Sequence, residues 1–246
     1  MSENIKKTTK AFRIDLDSRE NKVDLDSREN QSILKPSTRC SNNQAHQINE
    51  AAEKIHELIK NAPYSNDNIV LKRNEIKEAF FSPFKPQLKN AQVFLSHSHA
   101  DKDKALEVKN YLENQTKRKV FIDSLFWDYK DDVLNKLARY DDISKIEDAF
   151  TLILRESLQD MIEKYPYFVF LQSKNSVSNQ GLSRNQDLLK ITYSAWIYEE
   201  LKIAHSISES RPIPMMESIQ VFHDISPFLK SFETITLKKL SQQINS

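Results

Sequence analysis

One glycine, Gly181, in 246 residues is the feature that most limits what this chain can fold into. Average usage of about 7% would supply roughly 17 in this length. Dinucleotide loops of the GxGxxG type and phosphate loops of the GxxxxGK type each need several glycines, because the backbone closes on a phosphate only where no Cβ intervenes. Neither pattern can be present. If the chain handles a nucleotide, it does so without a glycine cradle.

A second constraint is the stretch Gln92–Asp103, QVFLSHSHADKD. Ala91 to Leu95 is a short apolar run rich in strand formers, and it breaks into polar residues at Ser96. Past Asp101 the apolar residues Ala105, Val108 and Leu112 fall at helical spacing. A buried strand passing through a polar loop into a helix is how an α/β sheet begins. Polar groups at the carboxyl end of such a strand lie where open sheets bind ligands.

Further strands and helices alternate after it. Lys119–Ile122 and Tyr167–Leu171 read as second and third strands, and Ile213–Met216 and Ile219–Phe222 as fourth and fifth. Lys130–Tyr140, Ile143–Lys164, Trp196–Ser208 and Thr236–Ile244 read as helices, the third with Ser194 as its N-cap. This alternation predicts a parallel sheet covered on both faces. Before it, Gln44–Asn61 and Lys72–Phe81 have helical periodicity and end near prolines. They predict a helical extension over 44–88, ahead of a main domain at 89–246. Residues 1–43 carry a tandem nine-residue repeat, IDLDSRENK from Ile14 and VDLDSRENQ from Val23. With few large apolar groups, the segment reads as a disordered tail.

Composition bounds the partners. The chain is 39% hydrophobic and 29% charged, with a formal net charge of +1, which gives no general argument for nucleic acid or an anionic membrane. Its one cysteine, Cys40, allows no intrachain disulfide and suits a reducing cytoplasm. No apolar run approaches the ~20 residues of a membrane helix, and no apolar segment follows the N-terminal lysines, so a secretory signal is not expected. A cytoplasmic location is expected.

Three segments are candidates for chemistry. Ser96-His97-Ser98-His99-Ala100-Asp101 begins like the H-x-H-x-D-H signature of metal-dependent hydrolases, with His97, His99 and Asp101 as ligands. Lys102 replaces the terminal histidine, and an ammonium has no lone pair to offer a metal. Ser98-x-x-Asp101 also reads as a capping box for the next helix. In Trp196-Ile197-Tyr198-Glu199-Glu200, Trp196 and Glu200 are four apart on a helix, so an indole and a carboxylate share one face. An ordinary surface Glu beside a packing Trp has the same spacing. Asp123–Asp128 reads as a loop combining carboxylates with Phe126 and Trp127, either to stack a substrate or to anchor the loop.

Taken in order, VFLSHSHADKDKALEVKNYL, KVFIDS, FVFLQSKNSVS and SAWIYEELKIA resemble a bacterial Toll/interleukin-1 receptor (TIR) domain of the antiphage-defence type. The resemblance covers about Ala91 to Met216. It implies a flavodoxin-like sheet of about five strands in the order 2-1-3-4-5, with the switch point between the first and third strands. It further implies an enzyme that cleaves the nicotinamide–ribose bond of NAD+, giving nicotinamide and ADP-ribose or a cyclic ADP-ribose. Glu200 matches the family's catalytic glutamate, and Ser96, His97, Asp123, Trp127 and Trp196 are the substrate contacts it suggests. Glu199 leaves the register open by one residue, and the spacing from Trp196 favours Glu200. NAD+ is a substrate here, and no cofactor or metal is expected. The implied partners are other copies of the TIR domain and an upstream sensor. The alternatives are a TIR module that only binds proteins, and the metal hydrolase.

Overall fold

The computed structural model describes residues 9–21, 40–62, 64–65, 68–69, 71–82, 89–122, 124–139, 144–180, 189–209 and 223–246. In chain order these form β1 (Lys10–Asp15), α1 (Cys40–Lys60), the short pair β2 (Tyr64–Ser65) and β3 (Asn68–Ile69), and α2 (Arg73–Phe81). Next come β4 (Ala91–Ser96), a 3-10 turn at His99–Asp101, α3 (Lys102–Thr116), β5 (Lys119–Ile122), α4 (Ser124–Leu137), α5 (Ser144–Lys164) and β6 (Tyr167–Gln172). The chain ends with β7 (Ser178–Gln180), β8 (Leu189–Thr192), α6 (Ala195–Glu209), β9 (His223–Asp224), α7 (Ser226–Ser231), β10 (Glu233–Thr234) and α8 (Leu237–Asn245). Among the described residues no helix is long and apolar enough to cross a membrane.

The chain divides into two compact units. One comprises residues 1–36, 91–123 and 159–246 and contains a five-stranded sheet in the order β10-β1-β6-β4-β5, every neighbouring pair parallel. Its centre is nearly all apolar. Val93, Phe94 and Leu95 of β4 and Phe168 to Leu171 of β6 are fully buried, as expected for strands covered on both faces. Phe94 stacks on Phe168 with ring centroids 5.7 Å apart. A separate antiparallel sheet, β7-β8-β9, belongs to the same unit and was not legible in the sequence.

In the strand numbering expected from sequence, β5-β4-β6 take the places 2-1-3, so the switch point does fall between β4 and β6. The next two places depart from expectation. They go to β1 and β10, whereas Ile213–Met216 and Ile219–Phe222 lie outside the described residues. The strand in fourth place therefore comes first in the chain.

This corrects the reading of residues 1–43 as a disordered tail, over residues 9–21. Lys10–Asp15 pairs along its whole length with Tyr167–Gln172, and Phe12 and Arg13 pair on the other side with Glu233 and Thr234. Phe12, Ile14 and Leu16 are buried at alternate positions, the period of a strand. Between them lie Arg13 and Asp15, whose charges hide that alternation in the bare sequence. The first repeat copy then closes into a turn. The Asp17 N–H donates to Asp15 Oδ1 at 2.9 Å, Asn21 Nδ2 donates to the Asp15 carbonyl at 2.8 Å, and Leu237 N–H donates to Asn21 Oδ1 at 3.1 Å. The second copy, from Val23, lies outside the described residues.

The other unit, residues 37–90 and 124–158, is helical, with α1 packed on α2 and α4. The sequence-based boundary at residue 88/89 is thus too simple, because 124–158 belongs with the N-terminal helices. An aromatic cluster explains the grouping: Phe80 meets Tyr129 and Phe150 edge-on at 5.1 and 5.2 Å, and the Tyr129 hydroxyl donates to the Phe80 carbonyl at 3.1 Å. Burial pushes the Tyr129 phenol well above its ordinary pKa, so it remains a donor.

Candidate functional site

The carboxyl end of β4 carries the most concentrated polar chemistry of the sheet unit. Register pairs Ser96 with Phe170, so the loops leaving β4 and β6 emerge side by side at the switch point. Ser96 is the last residue of β4 and is fully buried, with its hydroxyl donating to Glu200 Oε2 at 2.5 Å. These residues are 104 positions apart, and the contact ties the sheet to α6.

Local signals put Glu200 there. Ser194 caps α6, its Oγ accepting from the Ile197 N–H at 3.3 Å. From that start, Ile197, Glu200, Leu201 and Ala204 fall on one face by the helical period, and all four are buried. Glu200 itself is 0% exposed. Glu199 turns to the other side, half-buried, 3.7 Å from Lys202. Of the Glu199–Glu200 pair, Glu200 is thus the one turned inward. Trp196, one turn earlier, is half-buried.

Asp101 organises the neighbouring loop. It is 2% exposed, and its carboxylate accepts from Ser173 Oγ and from Asn175 Nδ2, the latter at 2.9 Å. Lys104 lies 3.9 Å away from the solvent side. The loop after β6 is itself a tight turn, with Ser173 N–H donating to Ser176 Oγ at 2.8 Å and Val177 N–H to the Ser173 carbonyl at 3.0 Å. The loop following β1 joins it, since the Lys174 N–H donates to Asp17 Oδ2 at 3.2 Å. Ser173 and Asn175 are the site residues that sequence reasoning missed. The Ser-x-x-Ser after the third strand was the available signal.

His97 is 3% exposed, and its Nδ1–H donates to the Ser98 carbonyl at 2.6 Å. Burial holds its pKa below the ordinary imidazole value, against the opposing pull of the Ser98 hydrogen bond and Asp101. His99 is exposed. Of the residues weighed as metal ligands, His97 is thus buried, His99 points to solvent, and Asp101 is engaged by Ser173 and Asn175. Among the described residues no three such groups gather where they could hold a metal ion. The Ser98-x-x-Asp101 capping box needs correction, because Ser98 makes no side-chain cap bond; its carbonyl accepts from the Asp101 N–H at 2.8 Å.

Ser96, His97 and Glu200 are therefore brought to one end of the sheet unit. Asp123 lies outside the described residues, and the side chain of Trp127 is not among those described. The segment from Ser124, read as a loop, is the first turn of α4. Its Leu125, Phe126 and Tyr129 fit a helical period as readily as a stacking loop.

No protein-family model, curated protein or solved structure matches the chain.

Proposed function

We propose that the sheet unit is a TIR-like NAD+ glycohydrolase in which Glu200 is the catalytic carboxylate. The observation that supports the reading is the Ser96–Glu200 hydrogen bond at the carboxyl end of β4, a carboxyl group enclosed at the switch point of a parallel sheet. A carboxyl taken out of water there is costly unless it serves structure or chemistry. In the reaction, the bond between the ribose C1′ and the nicotinamide nitrogen breaks and nicotinamide leaves with the electron pair. Positive charge develops at C1′, and the Glu200 carboxylate opposes it, as carboxylates do at other anomeric centres. Water then adds to C1′ and loses a proton, giving ADP-ribose; attack by an adenine nitrogen instead gives the cyclic product. Ser96 orients the carboxylate, while His97 and Trp196 border the substrate. The single glycine fits this chemistry, which needs no phosphate cradle.

In the cell, the activity would consume NAD+ when an upstream sensor assembles several TIR-like units, a defence role that rests on the sequence resemblance. A second reading has its own observation. Glu200 is wholly enclosed, which suits a residue that pins α6 to β4 in a TIR-like module that only binds proteins. Chromatography of NAD+ incubated with concentrated full-length protein, free and clustered on a multivalent support, separates the two. Nicotinamide release supports the enzyme, and none under clustering supports the binding module.

A further inference from the structure

We propose that a cavity of about 370 Å³ in the sheet unit, bounded by Arg13, Lys190 and Lys230, binds the phosphate of a small phosphorylated molecule. Its remaining lining is Ser226, Thr234, Leu229 and Phe232, so it shares no residue with the Ser96–Glu200 cluster. Three cations from three elements, β1, β8 and α7, converge on one opening, and among the described residues no carboxylate lines it. Gathering like charges around a half-enclosed space costs energy that a bound anion recovers.

Arg13 is held through its side chain and Lys190 through its backbone. The Arg13 guanidinium donates through both Nε and Nη2 to Thr234 Oγ1, which uses two of its five N–H groups and fixes the plane of the rest. Such a preset fork suits the oxygens of a phosphate. Lys190 is anchored through its backbone, its N–H donating to Ser226 Oγ at 2.9 Å and its carbonyl accepting from the Ile225 N–H at 2.9 Å. Among the described residues its ammonium makes no ion pair or hydrogen bond. The acid nearest along β1, Asp15, directs Oδ1 to the Asp17 N–H. Burial first, and then the charge of Arg13, lower the Lys190 pKa, and burial likewise lowers that of Arg13, in both cases against the opposing pull of the Asp15 carboxylate.

The volume limits the ligand. It lies near the lower end of the roughly 300–1,000 Å³ range of small-molecule sites, which fits one or two phosphate groups on a short organic body. Leu229 and Phe232 supply the apolar wall for that body.

Calorimetric titration of the full-length protein with inorganic pyrophosphate at low ionic strength tests the assignment. Saturable binding at one site per chain is expected, weakened roughly tenfold by Lys190→Met and a few-fold by Lys230→Gln, as expected for losing a charge-assisted contact. Arg13→Gln should weaken it at least as much as Lys190→Met, but Arg13 belongs to an interior strand, so the two lysine variants decide the matter, with circular dichroism confirming their fold. Glu200→Gln should bind pyrophosphate like wild type, which keeps this site independent of the proposed NAD+ chemistry. Unsaturable binding, equal displacement by chloride, or affinity unchanged in a folded Lys190→Met protein would overturn the proposal.

Discussion

Ser96 and Glu200, 104 residues apart, meet at 2.5 Å where β4 ends and α6 begins to cover the sheet. Both are 0% exposed, so neither can turn to water if the other is removed. The contact joins two of the four sequence segments that carried the family resemblance. It also makes the same pair responsible for stability and, on the proposed reading, for chemistry.

The stability part can be isolated with Ser96→Ala. The variant removes a hydrogen-bond donor from a buried carboxyl group and leaves a small void. A loss of about 1–3 kcal/mol is expected for taking away one partner of a buried polar group. Urea unfolding followed by circular dichroism would show a lower midpoint with an unchanged slope. A midpoint equal to wild type would mean that the pair contributes nothing to folding.

Asp101 makes a similar prediction for the neighbouring loop. Asp101→Ala leaves Ser173 Oγ and Asn175 Nδ2 without their buried acceptor. About 2–3 kcal/mol should be lost. Faster amide exchange should be confined to the Ser173–Val177 turn and the start of α3, since β6 itself stays paired on both sides. Exchange that accelerated evenly through the sheet would contradict this division.

Deleting residues 1–21 tests the correction at the N-terminus. If the segment were a tail, the remainder would fold unchanged. Because β1 is an interior strand between β6 and β10, the truncated chain should lose cooperative unfolding of the sheet unit. The milder Phe12→Ala should cost about 3–5 kcal/mol, as for other buried phenylalanines. A cooperative melt at the wild-type temperature after the deletion would show that β1 is dispensable.

His97 gives the pH dependence. Its folded pKa lies below the ordinary 6.5, mainly through burial, so the unfolded chain takes up this proton first as pH falls. The native state then binds fewer protons than the unfolded state, and stability rises with pH across that interval. The contribution is complete above about pH 6.5 and is lost as pH falls from there toward the depressed folded value. Denaturant melts between pH 7.5 and 5 should show this decline in wild type and a shallower one in His97→Gln. Parallel profiles would assign the pH dependence to other groups.

Much of the sheet was legible because β4, β5 and β6 are continuous apolar runs, the mark of strands buried on both faces. The helices showed as 3.6-residue periods, and Ser194 marked the start of α6 by its capping chemistry. β1 was not legible because Arg13, Asp15 and the repeated acidic segment outweigh three apolar residues at alternate positions. Its partners lie more than 150 residues away, and no local signal reports them. The small sheet β7-β8-β9 was hidden for the same reason, its strands being two to four residues long. In the site, Glu200 was readable from its spacing to Trp196, but its inward orientation was not, since Glu199 fits almost as well. Ser173 and Asn175 went unassigned because their role depends on Asp101, which only the pairing of β4 with β6 brings near.

The most direct test of the central claim is the rate of nicotinamide release from NAD+ by wild type and by Glu200→Gln, each clustered on the same support. Glutamine keeps the size of the side chain and can still accept from Ser96, so the fold should survive, and matched circular dichroism would verify that. Loss of a carboxylate that opposes developing charge at C1′ should lower the rate by at least about a hundredfold. A folded Glu200→Gln protein that released nicotinamide at the wild-type rate would contradict the assignment, leaving Glu200 as a structural tie between β4 and α6.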